Sequence, residues 1–190
     1  MTRIIAGRAG GRTLRTPPGS GTRPTSDRVR EALFSALDAR DAIAGAKVLD
    51  LYAGSGALGL EADSRGAREV ELVESDRRAA KVIEGNVAGL GLRDVPIRVR
   101  AMPVTTHLAG GGTAYDLVFI DPPYDVGEDA LGAVLDALAA PEVLAADALV
   151  VVERSSRSPE PRWPAGWEAE KPRRYGETTL WFATLLGFDS

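Results

Sequence analysis

The sequence predicts an α/β fold: a mostly parallel, doubly wound, seven-stranded sheet with its last two strands pairing antiparallel, preceded by a short N-terminal arm of hairpin and helix. Three observations predict it. From residue 46 onward, short apolar runs alternate with stretches of helical period, the pattern of strand–helix–strand units that place helices on both faces of a sheet. A glycine-rich turn separates the first run from the helix after it. The final two runs have no helix between them, so they must reverse direction.

The elements follow in order. Arg3–Ala6 and Thr13–Thr16 are strand-like runs around Gly7-Arg-Ala-Gly-Gly11 and read as a hairpin. Pro17-Pro-Gly-Ser-Gly-Thr-Arg-Pro24 reads as loop. Thr25, Ser26 and Asp27 offer N-caps for a helix over about 27–40, with Val29, Leu33, Phe34 and Leu37 as its apolar stripe. Lys47–Leu51 is a buried strand, followed by a glycine turn and a helix to about Arg65. Glu69–Val73 is the next strand, with a helix over about 76–89, then the strand Ile97–Arg100. Tyr115–Ile120 is the fourth strand, a helix over about 128–140 follows, and Leu149–Val152 is the fifth. Ser155–Pro164 is polar and proline-rich, hence loop, before strands at Trp167–Lys171 and Thr178–Thr184. Residues 1–44 are thus read as a basic extension and 45–190 as the α/β domain.

Composition narrows the chemistry. At 190 residues, 44% hydrophobic and 26% charged, the chain suits one domain with its own core. With no cysteine, it forms no disulfide, thiolate metal site or cysteine nucleophile, the last being the usual means of methylating a pyrimidine ring carbon. A single histidine, His107, argues against a multi-histidine metal site, and no metal is expected. No apolar run approaches the roughly 20 residues of a membrane span, and a cytoplasmic protein without a membrane partner is expected. The net charge of −4 is unevenly spread. Residues 1–30 carry seven arginines against Asp27 alone, a net +6, which leaves −10 for the rest. Arginine forks grip phosphate and stack on bases, so the arm reads as a polyanion contact, with a solvated basic tail as the plainer reading.

Asp50-Leu-Tyr-Ala-Gly-Ser-Gly-Ala-Leu-Gly59 follows the first strand of the domain and opens a helix. Gly54, Gly56 and Gly59 fit the G-x-G-x-x-G spacing of nucleotide-binding turns, and Tyr52 and Ser55 lie within the same loop. Glu74 ends the second strand, where a carboxylate accepts hydrogen bonds from the ribose hydroxyls of an adenosine. That group is common to NAD and S-adenosyl-L-methionine. Asp50 discriminates: it would repel a pyrophosphate and attract the ammonium of a methionine moiety, although it could also cap loop amides. After the third strand stand Ala101 and Met102, where many methyltransferases have an acid near the adenine amine; Met102 is either a cofactor contact or core filler.

Asp121-Pro122-Pro123-Tyr124 ends the fourth strand. Methylating an exocyclic amine requires two acceptors that engage the amine hydrogens and draw its delocalised lone pair toward sp3. The Asp121 carboxylate is one and the Pro122 carbonyl, held by the following Pro123, is the other. Tyr124 offers a face on which an unstacked base can lie. The rival for this turn alone is a plain strand terminator.

The start Arg3-Ile-Ile-Ala-Gly7 with Gly11-Arg12, the run Arg23-Pro-Thr-Ser-Asp-Arg-Val-Arg-Glu-Ala-Leu-Phe34, the glycine loop with Glu74, Asp121–Tyr124 and Tyr175-Gly-Glu-Thr178 together resemble the RsmD-like family of small-subunit ribosomal RNA guanine-N2 methyltransferases. The resemblance covers nearly the whole chain. It implies a Rossmann-like class I methyltransferase with S-adenosyl-L-methionine as donor. It further implies one guanine of 16S rRNA as substrate, presented by a partly assembled or complete small subunit and gripped in part by the arm. Arg3, Arg23, Thr25, Arg28 and Arg30 are the candidates for RNA contact, with an internal ion-pair network of Asp27 and Glu31 as the alternative. Tyr175 either lines the base pocket or closes the last hairpin. A DNA adenine methyltransferase would need recognition elements that the chain has little room for. An NAD oxidoreductase would need a proton donor that it does not display. A binding module with a dead cofactor site would have no use for intact Asp50, Glu74 and Asp121.

Overall fold

The computed structural model describes residues 2–19 and 26–187. In chain order the elements are β1 (Thr2–Arg3), β2 (Thr13–Leu14), α1 (Asp27–Asp38), β3 (Lys47–Leu51), α2 (Ala57–Ser64), β4 (Glu69–Val73), α3 (Arg77–Leu90), β5 (Ile97–Arg100), α4 (Val104–Ala109), β6 (Tyr115–Ile120), α5 (Glu128–Leu138), β7 (Leu144–Ser155), β8 (Trp167–Ala169), β9 (Arg173–Tyr175) and β10 (Thr178–Leu185). The central sheet runs β5-β4-β3-β6-β7-β10-β8, and β9 pairs with β10 off that path. Strands β3 to β7 are parallel, while β10 runs antiparallel to β7, β8 and β9. The seven-stranded sheet is therefore present, with an eighth short strand at its antiparallel edge.

Side-chain alternation sorts the strands into two apolar layers. Val48, Val70, Leu72, Leu117 and Phe119 face a layer with Leu33, Phe34, Leu60 and Ile83 from α1, α2 and α3. Leu49, Leu51, Val73, Val118 and Ile120 face the other, with Leu108, Leu131, Leu135 and Leu138 from α4 and α5. The same parity puts Asp50 on the face of β3 toward α2. Helix α2 can approach that face because Gly59 has no Cβ: one placed there would sit 2.9 Å from Leu72 and 3.1 Å from Val70.

The N-terminal hairpin is anchored to this body. Ile4 and Leu14 have no exposed surface and belong to the same apolar layer as α1 and α2. The buried Glu61 accepts from the amides of Ile5 (2.7 Å) and Ala6 (3.0 Å). Gly7, at φ +81, brings the chain against the end of α2, where an added Cβ would lie 2.0 Å from the Ser64 carbonyl oxygen. Helix α1 begins as its cap predicts, with Ser26 Oγ accepting from the amide of Val29. Arg23 and Thr25 lie outside the described residues. No helix among the described residues is long and apolar enough to cross a membrane.

Candidate active site

The carboxyl ends of β3, β4 and β6 are flush, since Leu51 pairs with both Val73 and Ile120. Strand order reverses here: β3 is followed on one side by β4 and on the other by β6. Sheets of this kind open a crevice at such a point. The crevice is a cavity of about 430 Å³. Asp50, Tyr52, Gly54, Ser55, Glu74 and Asp121 all line it, together with Arg30, Asp76 and Pro123. Three loops distant in sequence thus converge on one space.

Asp50 is 1% exposed and its Oδ2 accepts from the Gly59 amide at 2.8 Å. The loop-cap reading is therefore observed, and it uses only one oxygen. Burial raises the carboxyl from its ordinary 3.8 to about 7, opposed by the Gly59 hydrogen bond and reinforced by the charge of Glu74. Tyr52, half-buried, holds a left-handed backbone at φ +60, which turns the chain out of β3 into the loop. Burial raises its phenol and the nearby Arg154 charge opposes that.

Glu74 is held by its neighbours. Its Oε2 accepts from the Gly54 amide and its Oε1 from the Asp76 amide, both at 2.9 Å. Each carboxylate oxygen keeps one further acceptor direction. Gly54 sits at φ +60, and a Cβ there would meet nothing within 4 Å, so its backbone lies open to the cavity. Gly56, at φ +81, is the N-cap of α2 and packs on Ile83 and Leu72 instead of lining the cavity. Asp76 caps α3, its Oδ1 accepting from the Arg78 amide at 2.7 Å.

Asp121 keeps only a partial opening to the cavity. Burial, followed by the charges of Glu153 and Asp50, raises its carboxyl well above the ordinary carboxylate range. The turn after it is fixed from two sides: Val126 donates to the Pro123 carbonyl at 3.1 Å, and Arg154 Nη2 donates to the Val126 carbonyl at 3.0 Å. Arg154 also pairs with Glu128 at the start of α5. Tyr124 stands on this turn and is 60% exposed.

The arm reaches the same cavity. Thr2, Thr16, Pro17, Pro18 and Gly19 line it. Asn86 of α3, 4% exposed, ties arm to loop: its Nδ2 donates to the carbonyls of Arg15 and Ser55, both at 2.9 Å, and its Oδ1 accepts from the Arg15 amide at 2.8 Å. Sequence reasoning passed over Asn86, since a polar residue within a helix reads as solvated face. Asp76 was passed over too, although an aspartate just before a helical stretch carries the signal of an N-cap, and Arg154 carried no signal beyond its place after β7's apolar run.

The arginines divide sharply. Arg3 pairs with Asp27, Arg8 with Asp63 and Asp94, and Arg12 donates to the Leu90 carbonyl. Arg15 and Arg28 are exposed and make no ion pair with a described residue. Arg30, a candidate for RNA contact, is 1% exposed. Its Nη2 donates to the Arg3 carbonyl at 2.7 Å and to Asp27 at 2.8 Å, while Nε and Nη1 are buried with no partner among the described residues. An unmet buried donor costs about 1–3 kcal/mol.

Pro122 and Tyr124, on either side of the lining residue Pro123, are not part of the cavity lining, and neither are Met102 and Tyr175. Met102 packs against the apolar layer of α4 and α5. Tyr175 ends β9, pairs with Thr178 of β10 across a tight turn at Gly176, and packs on the opposite layer. His107 Nε2 lies 3.4 Å from the Tyr115 hydroxyl, which donates to the buried Glu71; this network is remote from the cavity lining.

Residues 2–184 match the family described as conserved hypothetical protein 95. The chain is 39% identical over 175 residues to the ribosomal RNA small subunit methyltransferase D of Escherichia coli (strain K12), covering 92% of this chain and 85% of that one. The solved structure of the Escherichia coli protein yhhF superposes with a TM-score of 0.86 at 35% identity, over 97% of this chain and 98% of the other. The magnesium protoporphyrin IX methyltransferase of Synechocystis PCC 6803, solved with bound SAM, shares the fold at a TM-score of 0.64 and 16% identity, over 83% of this chain and 78% of the other.

Proposed function

From the premise that the chain belongs to the RsmD-like family described as conserved hypothetical protein 95, we propose that it transfers a methyl group from S-adenosyl-L-methionine to the exocyclic N2 amine of one guanine in 16S rRNA. The observation that carries this reading is the convergence of Asp50, Glu74 and Asp121 on one cavity at the carboxyl ends of β3, β4 and β6.

The residues present fit the cofactor. Glu74 retains an acceptor direction on each oxygen for the two ribose hydroxyls, and the bare backbone at Gly54 lets a ligand approach closely. Asp50, with one oxygen uncommitted, receives an ammonium group. Bound there, the cofactor supplies an electrophilic methyl group on a sulfonium sulfur.

The chain's own residues do the remaining work. The Asp121 carboxylate and the Pro122 carbonyl accept hydrogen bonds from the two N–H groups of the substrate amine and orient its lone pair. Orientation of this kind contributes about 7–11 kcal/mol where it is well made. As the new bond forms, the amine proton becomes acidic and Asp121 takes it. Burial and two neighbouring carboxylates make Asp121 a stronger base than a free aspartate, which suits that role. Tyr124, projecting beside the turn, stacks the base once it has left its helix or loop. Arg15 and Arg28 are left to meet RNA phosphates.

The test is a labelled-methyl transfer assay offering duplex DNA, naked rRNA and undermethylated small subunits in parallel, followed by nucleoside analysis. Label on N2 of guanine in rRNA is expected, with the particle as the better substrate. Label on adenine of duplex DNA, or no transfer to any of the three, overturns the reading.

A further inference from the structure

Arg30 has a charge and donors that its own surroundings leave unused. It is 1% exposed and lines the cavity. A guanidinium carries five N–H donors. Both hydrogens of Nη2 are taken, by the Arg3 carbonyl and by Asp27. Nε and Nη1, with the other three hydrogens, meet no partner among the described residues. Its charge is only half answered, because Asp27 also serves Arg3 through its second oxygen. A buried cation with open donors is a binding group for an anion.

The cavity defines which anion. Among the described residues that line it, Arg30 is the one cation, against the carboxyl groups of Asp50, Glu74, Asp76 and Asp121. A ligand carboxylate entering this space finds, among the described residues, its one cationic side chain at Arg30. The methionine end of S-adenosyl-L-methionine is a zwitterion. Its ammonium has a partner in Asp50, and its carboxylate has needed one. An RNA phosphate is a poorer match, because the polymer stays at the surface where Arg15 and Arg28 are exposed.

We propose that Arg30 is the carboxylate-binding residue of the cofactor pocket, holding the α-carboxylate of the methionine moiety while Asp50 holds its ammonium. This rests on the cofactor reading above. It moves Arg30 out of the set of RNA contacts. Asp27 and the Arg3 carbonyl fix the Arg30 guanidinium and leave its remaining donors for the ligand.

The test compares S-adenosyl-L-methionine with its decarboxylated analogue by calorimetry on the wild type, Arg30→Lys and Arg30→Met. The wild type is expected to bind S-adenosyl-L-methionine roughly tenfold to a hundredfold more tightly, the worth of a charge-assisted hydrogen bond. Arg30→Met is expected to bind the two alike or to prefer the analogue, whose missing carboxylate no longer meets the acidic lining. Arg30→Lys is expected to keep part of the preference. A wild type that binds both alike overturns the proposal without any variant, which keeps the test decisive if Arg30→Met does not fold. Retained preference in Arg30→Met also overturns it, and a loss of rRNA binding in that variant with the preference intact returns Arg30 to the RNA. Failure of the wild type to bind S-adenosyl-L-methionine at all overturns the cofactor reading itself, a separate outcome.

Discussion

Asp50→Asn removes a buried charge while keeping the oxygen that accepts from Gly59. In the folded wild type this carboxyl ionises near pH 7, against an ordinary value of 3.8. The sign follows from proton binding. Below 3.8 both folded and unfolded chains hold the proton, and Asp50 adds no pH dependence. Between 3.8 and 7 the unfolded chain ionises while the folded one keeps its proton, so stability falls as pH rises; above 7 it levels off. At about 1.4 kcal/mol per pH unit the whole fall is about 4 kcal/mol, of which about 3 kcal/mol lies between pH 5 and 8. Asp63 and Asp121, also raised by burial, add to the fall in both proteins. Asp27, Glu71 and Glu170 are lowered, so their stabilisation is lost only in more acid solution and leaves this window flat. Urea unfolding of wild type and Asp50→Asn at a series of pH values therefore gives curves that converge below about pH 4. By about pH 8 the variant is the more stable by about 4 kcal/mol, about 3 kcal/mol of that separation opening above pH 5. Parallel curves across that range refute the reasoning, because Asp50 would then be ionised in the fold at no cost.

Gly7→Ala is expected to destabilise by at least about 2 kcal/mol, since it combines a left-handed backbone with a collision on the Ser64 carbonyl; denaturant midpoints check it. Asn86→Ala removes three hydrogen bonds between arm and glycine loop, and should cost about 1–3 kcal/mol and speed amide exchange at Arg15. Methyl transfer should rise with pH as Asp121 loses its proton. Glu153→Gln, which removes a charge that holds that proton on, should move the rise to lower pH in a kcat/KM profile. Reversing Arg15 and Arg28 to glutamate should weaken rRNA binding and lower its salt slope by about one for each phosphate no longer neutralised, which titrations at a series of salt concentrations measure.

Strands β3, β4 and β6 were legible because they are largely buried on both faces and rich in apolar residues, and β5 because Ile97 and Val99 alternate with Arg98 and Arg100. The bounds of β3, β4, β5 and β6 match those read from the sequence. The edges were less so. β9 carries Arg173 and Arg174 and becomes a strand only by pairing with β10. α4 is six residues long and has no side-chain cap, too short for a period to show. β7 begins earlier than its Leu149–Val152 run, at Leu144, across Asp147 with its positive φ. In the site, residues fixed by a loop next to a strand end were found, because Asp50, Glu74 and Asp121 are placed by local sequence. The burial of Arg30 was not legible, because it comes from a fold-back of the arm: the Arg3 carbonyl lies 27 residues away along the chain. Asn86 escaped for the same reason, its partners being Ser55 and Arg15. Charge counting likewise overstated the arm, since Arg3, Arg8 and Arg12 are engaged internally.

The central claim is that Asp121 orients and deprotonates the amine and does not hold the cofactor. Single-turnover methyl transfer to undermethylated small subunits, measured beside S-adenosyl-L-methionine affinity for wild type and Asp121→Ala, tests it most directly. The account predicts a rate lower by about 10²–10⁴ with affinity changed by only a few-fold. Near-normal turnover in Asp121→Ala, or a loss of activity fully explained by lost cofactor binding, contradicts it.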